Sequence, residues 1–413
     1  MHQLNHRIAH EGESGRHGFH PDQFLSIIWH SSSHASRAVN ILWPFVPLAI
    51  CFRFVGFPTL WIFWTAYIAV IPAANLLGFA GQEFARKMPK AAGILIETTF
   101  GSLVEIILFV VLIMQHTVEG RAEDNNLIPI IQAAILGSLL TNLLLCLGLC
   151  FFVSGVRRHQ QNQKFHAVVS EVGSGLLLVA AFGLLIPSAF YSALKVETLS
   201  VLHGRFSRYR LQQDVLDISR WTAIVLIIAY ALYVVYSCTS AHSIFDEVIE
   251  QDEHGDADHE QDMRKPKLTL TETLVAIIVA ILLVAFLLII LVGEIEEVVE
   301  SGIPDQFLGL ILLPLVEKAA EHLTAIDEAW DGVINVALYH CIGPSIQTAL
   351  FNGPLVVLVG WLLGKPMDLN FEIFMIGLLL LSILVVGNFL RDQESNWLEG
   401  ALLVVSWIMN WRR

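Results

Sequence analysis

Charge is scarce in this chain of 413 residues, and positive charge scarcer still: 15% of residues are charged, with 24 Lys and Arg against 38 Asp and Glu. No basic stripe is present, which removes nucleic acid as a partner. The five cysteines (Cys51, Cys146, Cys150, Cys238 and Cys341) form no C-x-x-C pair, and all sit in or beside apolar stretches. That pattern argues against a disulfide framework or a zinc site and suits buried small hydrophobes. No nucleotide-binding loop, zinc spacing or nucleophile–base pair stands at a plausible site, so an enzyme is not expected. The N-terminus also lacks the short basic-then-apolar pattern of a cleaved leader.

Apolar length is what the chain has in excess. Hydrophobic residues make up 55% of it, gathered into runs near the roughly 20 residues needed to cross about 30 Å of hydrocarbon. Segments read at about 39–55, 58–80, 92–114, 127–154, 168–190, 221–239, 272–292, 305–329, 333–362, 371–390 and 397–411. The expected fold is therefore an all-α polytopic membrane protein of about 11 transmembrane helices. The last segment ends on Trp411, Arg412 and Arg413, an interfacial anchor.

Five regions follow. Residues 1–37 read as a polar, disordered tail holding His2, His6, His10, His17, His20, His30 and His34, whose spacing repeats no ligand pattern. Residues 38–56 form a first transmembrane helix. Residues 57–240 and 268–413 are two membrane halves, divided at 241–267 by an acidic loop that includes Asp246, Glu250, Asp256 and Asp262. Basic residues after the second and fourth segments (Arg86, Lys87, Lys90; Arg157, Arg158, Lys164) place the N-terminus in the cytosol. Lys195, Arg205, Arg208 and Arg210, after the fifth, run against that orientation. The acidic loop is then cytosolic, either a solvated linker or a device that concentrates cations at an entrance.

Each half carries one carboxylate deep in an apolar run: Glu105 in FGSLVEIILFVVLI and Glu321 in VEKAAEHLTAI. An ionised carboxylate at the bilayer centre costs roughly 3 kcal/mol even on insertion scales, so it must face a partner or a wet cavity. In both halves the next helix brings a Gln beside a Gly-Ser or Gly-Pro step: Gln132 before Gly137 and Ser138, and Gln347 after Gly343 and Pro344. An odd number of spans separates the copies, so they insert with opposite orientation, the arrangement that places ion sites at a repeat interface near the midplane. Carboxylates from Glu105 and Glu321, with amide oxygens from Gln132 and Gln347, are the donors a hard cation such as calcium takes. Protons compete for the same oxygens, which couples the two ions. Glu83 is a candidate gate or an interfacial residue, and His322 a proton shuttle or a hydrogen-bonded helix histidine.

The stretches TFGSLVEII, LGSLLTNLLLCLGLCFF, LVEKAAEHLTAI, PSIQTALF, PLVVLVGW and DQESNWLEG resemble the vacuolar calcium/proton exchangers of fungi and plants, within the cation/calcium exchanger superfamily. The resemblance implies two inverted five-helix repeats, preceded by one extra N-terminal helix at 38–56. It makes Glu105 and Glu321 the acids that bind the cation and alternate with protons, and it matches Gln132 and Gln347 to the amides of the following helices. The acidic loop is similar to a cytosolic acidic helix of the family. Transported calcium and protons, rather than a cofactor, are implied, as is a multi-pass place in the vacuolar membrane. The partners are calcium or a related cation, protons and lipid, with a homo-oligomer allowed.

The sequence departs from the family's Gly-Asn-x-x-Glu motif in both halves. Ser102 replaces the first Asn, and Glu317-Lys318 replaces the second Gly-Asn. Pro344 and Ala134 stand where small polar residues are the family's rule. Lys318 lies one helical turn from Glu321, where it can pair with Glu321 or Glu105 and oppose a divalent cation. Glu317 can tie up Lys318 or become a ligand itself. Three readings follow: a calcium/proton antiporter; a monovalent cation/proton antiporter whose selectivity Lys318 alters; and a non-transporting regulatory homologue.

Overall fold

The computed structural model describes residues 16, 18–31, 34–88, 90–116, 126–157, 162–199, 208–240 and 267–409. The apolar stretches among them are helical, because a helix satisfies its own backbone groups where water is absent. Helices α1 (Pro21–His30) and α2 (His34–Val39) lead to α3 (Phe45–Val55). The first half continues with α4 (Thr59–Ala85), α5 (Lys90–Gln115), α6 (Ile128–Leu140), a π-helical turn at Thr141–Cys146, α7 (Leu147–Arg157), α8 (Ala167–Leu199) and α9 (Arg208–Ser240).

The second half opens with α10 (Leu270–Gly293), α11 (Ile295–Glu300) and α12 (Asp305–Phe307). A π-helical turn at Leu308–Leu312 leads into α13 (Leu313–Glu317) and α14 (Ala319–Asp331). Then come α15 (Ile334–Gln347), a π-helical turn at Thr348–Asn352, α16 (Gly353–Leu362), α17 (Ile373–Leu390) and α18 (Trp397–Met409). Two short strands, β1 (Gln163–Lys164) and β2 (Glu394–Ser395), pair antiparallel and tie a loop of one half to a loop of the other.

Among the described residues, eight helical stretches are long and apolar enough to cross a membrane, and Thr99–Gln115 and Trp397–Met409 are shorter apolar helices. The expected segment at 305–329 differs. It is broken into α12, a π turn, α13 and α14, with the interruption between the last two at Lys318. Pro314 cannot donate a backbone hydrogen bond, and the Tyr67 hydroxyl donates to Leu312 O within this stretch, at 2.8 Å.

The halves are packed through one another. Helix α4 lies along α10, α7 along α18, α8 along α17, and α6 against the π turn at Leu308–Leu312. The last crossing is backbone on backbone: a Cβ at Gly309 would come 2.6 Å from Ala133 Cβ and 2.7 Å from Ile130 O. Large apolar side chains such as Phe182, Trp221, Leu232, Ile278 and Leu282 are exposed on α8, α9 and α10, which suits a lipid-facing surface.

Disorder is expected through residue 37, whereas Pro21–His30 and His34–Val39 are helical, and Arg16 and His20 bond to the start of α10. His20 N–H donates to Glu272 Oε1 at 3.0 Å, and Arg16 Nη2 donates to Lys267 O at 2.9 Å. Ile27 is buried with Phe79 and Leu268. Glu272 also closes a reciprocal cap with Thr269. The expected acidic loop lies outside the described residues up to 266, as do His2, His6, His10, His17 and the Trp411–Arg413 anchor. Cys146, Cys150 and Cys341 are buried together, with Cys341 Sγ 3.4 Å from Cys146 Sγ and 3.8 Å from Cys150 Sγ. Sulfur donors suit soft cations rather than calcium.

Candidate functional site

A carboxylate in a membrane needs donors, and the second half supplies them for the acid of the first. Glu105, in mid-α5, is fully buried. The Thr348 hydroxyl reaches its two oxygens at 2.9 and 2.8 Å, and Asn352 Nδ2 donates to Glu105 Oε2 at 2.8 Å. Thr348 and Asn352 are the first and last residues of the π turn between α15 and α16. The extra residue per turn in a π bulge re-aims side chains, a recurrent device at functional sites.

Glu321 sits in the first turn of α14. Its carboxylate presses on α5 at Gly101, where any Cβ would overlap Glu321 Oε1. Between the two acids stands Lys318, fully buried, with its Nζ 3.0 Å from Glu105 Oε2 and 3.3 Å from Glu321 Oε2. The ammonium thus bridges acids from the two halves. Removing one partner from a buried pair of this kind costs about 3–5 kcal/mol.

Glu317, at the end of α13, is 1% exposed, and neither carboxylate oxygen has a hydrogen-bond partner. Ser138 stands beside it, buried and with its hydroxyl unpartnered, as is that of Ser102. Glu317 and Glu321 line an open cleft whose walls include Asn75, Gln82, Glu97 and His340. These residues place the cleft between the buried acids and the end of the bundle that carries the α4–α5 turn. Ser36 Oγ donates to Asn75 Oδ1 on its wall, at 2.6 Å.

The other sequence-predicted residues are spread more widely. His322 Nε2 lies 2.7 Å from Asn142 Oδ1, a hydrogen bond between α14 and the π turn at Thr141–Cys146. Gln347 is buried with both amide atoms unpartnered. Gln132 lies near the start of α6, and its amide donates to Asp368 Oδ1 at 2.6 Å, in the loop between α16 and α17. Burial pushes the Asp368 carboxyl up to about 6, with hydrogen bonds from Asn370 and Gln132 opposing the rise. Glu83 binds Arg86 Nη1 and accepts from Leu268 N–H, each at 2.8 Å, so it joins α4 to the start of α10.

Sequence reasoning passed over Thr348 and the cleft histidine, and took Asn352 for an amide that joins helices rather than one at an ion site. His340 stands 3.8 Å from both Glu97 Oε1 and Glu328 Oε2. The one available signal was the four-residue spacing of Thr348 and Asn352, which puts both on one helix face.

The chain as a whole has known counterparts. The sequence model of the family described as "Sodium/calcium exchanger protein" matches residues 58–239 and 272–410. The chain is 33% identical over 375 residues to vacuolar cation/proton exchanger 2 of Arabidopsis thaliana, covering 90% of this chain and 79% of that protein. It is 32% identical over 371 residues to a Ca(2+)/H(+) antiporter of Aphanothece halophytica, covering 88% and 92%. The solved structure of native YfkE superposes with a TM-score of 0.69 at 25% identity, over 90% of this chain and 97% of that one.

Proposed function

The chain belongs to the sodium/calcium exchanger protein family, and from that premise we propose that it exchanges Ca2+, or a cation close to it, for protons across a membrane that it crosses many times. It is read as a transporter, not an enzyme. One observation carries the reading: Glu105 and Glu321, from opposite halves, meet across a single buried ammonium beneath an open cleft. Each acid can hold either a share of the cation's charge or a proton, so loading one ion expels the other. Rocking of the packed halves around this fixed point would expose it to each side in turn. Vacuolar placement is part of the proposal, supported by the name of the Arabidopsis relative.

The test is proton-driven uptake into sealed vesicles that carry the full chain. Glu105→Gln or Glu321→Gln is expected to abolish uptake per molecule of folded protein in the vesicles. Full activity in both variants overturns the reading.

Lys318 supports a second reading. A fixed ammonium between two carboxylates leaves them a net charge of about −1, which favours Na+, K+ or protons alone. Uptake of Na+ or K+ but not Ca2+ by the wild type would move the assignment there.

A further inference from the structure

The charge at the centre does not end with the bridge. Glu317 and Lys318 are consecutive, and neighbouring residues on a helix do not share a face. Lys318 turns to Glu105 and Glu321, while Glu317 reaches the cleft wall with both oxygens unpartnered and 1% exposure. An ionised carboxylate held in that way is strongly disfavoured unless a cation reaches it. The helix is interrupted at Lys318 itself, between the two members of the pair and Glu321.

Counting formal charges gives the consequence. Glu105, Glu317 and Glu321 against Lys318 leave −2, whereas without Glu317 the cluster would carry −1. We propose that Glu317 is a third carboxylate of the transport site and sets its valence: its charge offsets that of Lys318, so the cluster takes a hard divalent cation. The inference rests on the antiporter reading and replaces its monovalent variant. Hard divalent cations draw on several oxygens at once, carboxylates and neutral groups together. The Ser138 hydroxyl beside Glu317 is one such neutral donor.

The experiment measures Ca2+, Na+ and K+ uptake into proteoliposomes under an imposed proton gradient, for the wild type, Glu317→Gln and the double variant Glu317→Gln/Lys318→Gln. The Ca2+-to-monovalent ratio is taken within each preparation, so it does not depend on how much protein has folded. Glu317→Gln, at −1, is expected to lower that ratio about tenfold or more, a change of one decade in relative affinity. The double variant, back at −2, is expected to recover most of the ratio, which loss of a merely structural carboxylate would not allow. A ratio unchanged in Glu317→Gln, or equally low in the double variant, overturns the inference and leaves the antiporter reading standing. A wild type with no proton-driven uptake of any cation removes both.

Discussion

Glu105 and Glu321 are not held alike. Glu105 takes hydrogen bonds from Thr348 and Asn352 besides its ion pair, whereas Glu321 has the Lys318 contact and faces the cleft. Hydrogen bonds to charged groups contribute about 1.5–3 kcal/mol each, so in the proposed site Glu105 would be the fixed wall and Glu321 the arm that meets an arriving ion. Asn352→Ala is accordingly expected to weaken apparent cation affinity about tenfold with little change in maximal rate; a concentration series of uptake checks it, and unchanged affinity sinks the assignment. Both acids were legible from sequence because a carboxylate in an apolar run is costly and conspicuous. Thr348 and Asn352 were not, since uncharged polar residues are common in membrane helices and more often join helices than bind ions. Gln132 shows the limit of matching strings: it rhymes with Gln347, yet its position at the start of α6 gives its amide to Asp368.

At the level of the element, two of the three π turns among the described residues, Thr141–Cys146 and Thr348–Asn352, occupy matching helices of the two halves. Proline gives a hint of the second, through Pro354, but none of the first, which has no proline near it. The close crossing of α6 with the Leu308–Leu312 turn was equally hidden, because a glycine in an apolar run does not announce which backbone approaches it. At Gly137 a Cβ would come 2.7 Å from the backbone C and Cα of Leu310, atoms that cannot swing aside. Overpacking usually costs about 1–3 kcal/mol and more where backbone must move. Gly137→Ala should therefore lower the melting temperature of the purified protein, while Gly175→Ala, with nothing within 4 Å of its Cβ, leaves it nearly unchanged. Equal melting temperatures for the two variants would contradict this account of the crossing.

Across the whole molecule, apolar length and the paired acids led to the expectation of two membrane halves, but nothing led to the docked N-terminal segment. Its partners, Lys267 and Glu272, lie some 250 positions away, and nothing local in a histidine-rich stretch points to them. The end of the bundle opposite the α4–α5 turn is joined in a similar long-range way. There the α16–α17 loop closes over the end of α5 and the start of α6, with Lys365 Nζ donating to His116 O and Gln132 donating to Asp368. Asp368 makes this closure sensitive to pH. Burial raises its carboxyl to about 6 from an ordinary 3.8, so the folded state binds that proton more tightly than the unfolded chain does. Its contribution to stability is fully present below pH ~3.8 and is lost as pH rises through about 6, because ionisation must then be sustained in a buried place. Asp368→Asn keeps a neutral side chain that can still accept from Gln132. The variant should melt close to the wild type at pH 4 and increasingly above it as the pH is raised to 7. A difference that stays constant over that range, or that narrows, would show that Asp368 does not ionise within the closed loop.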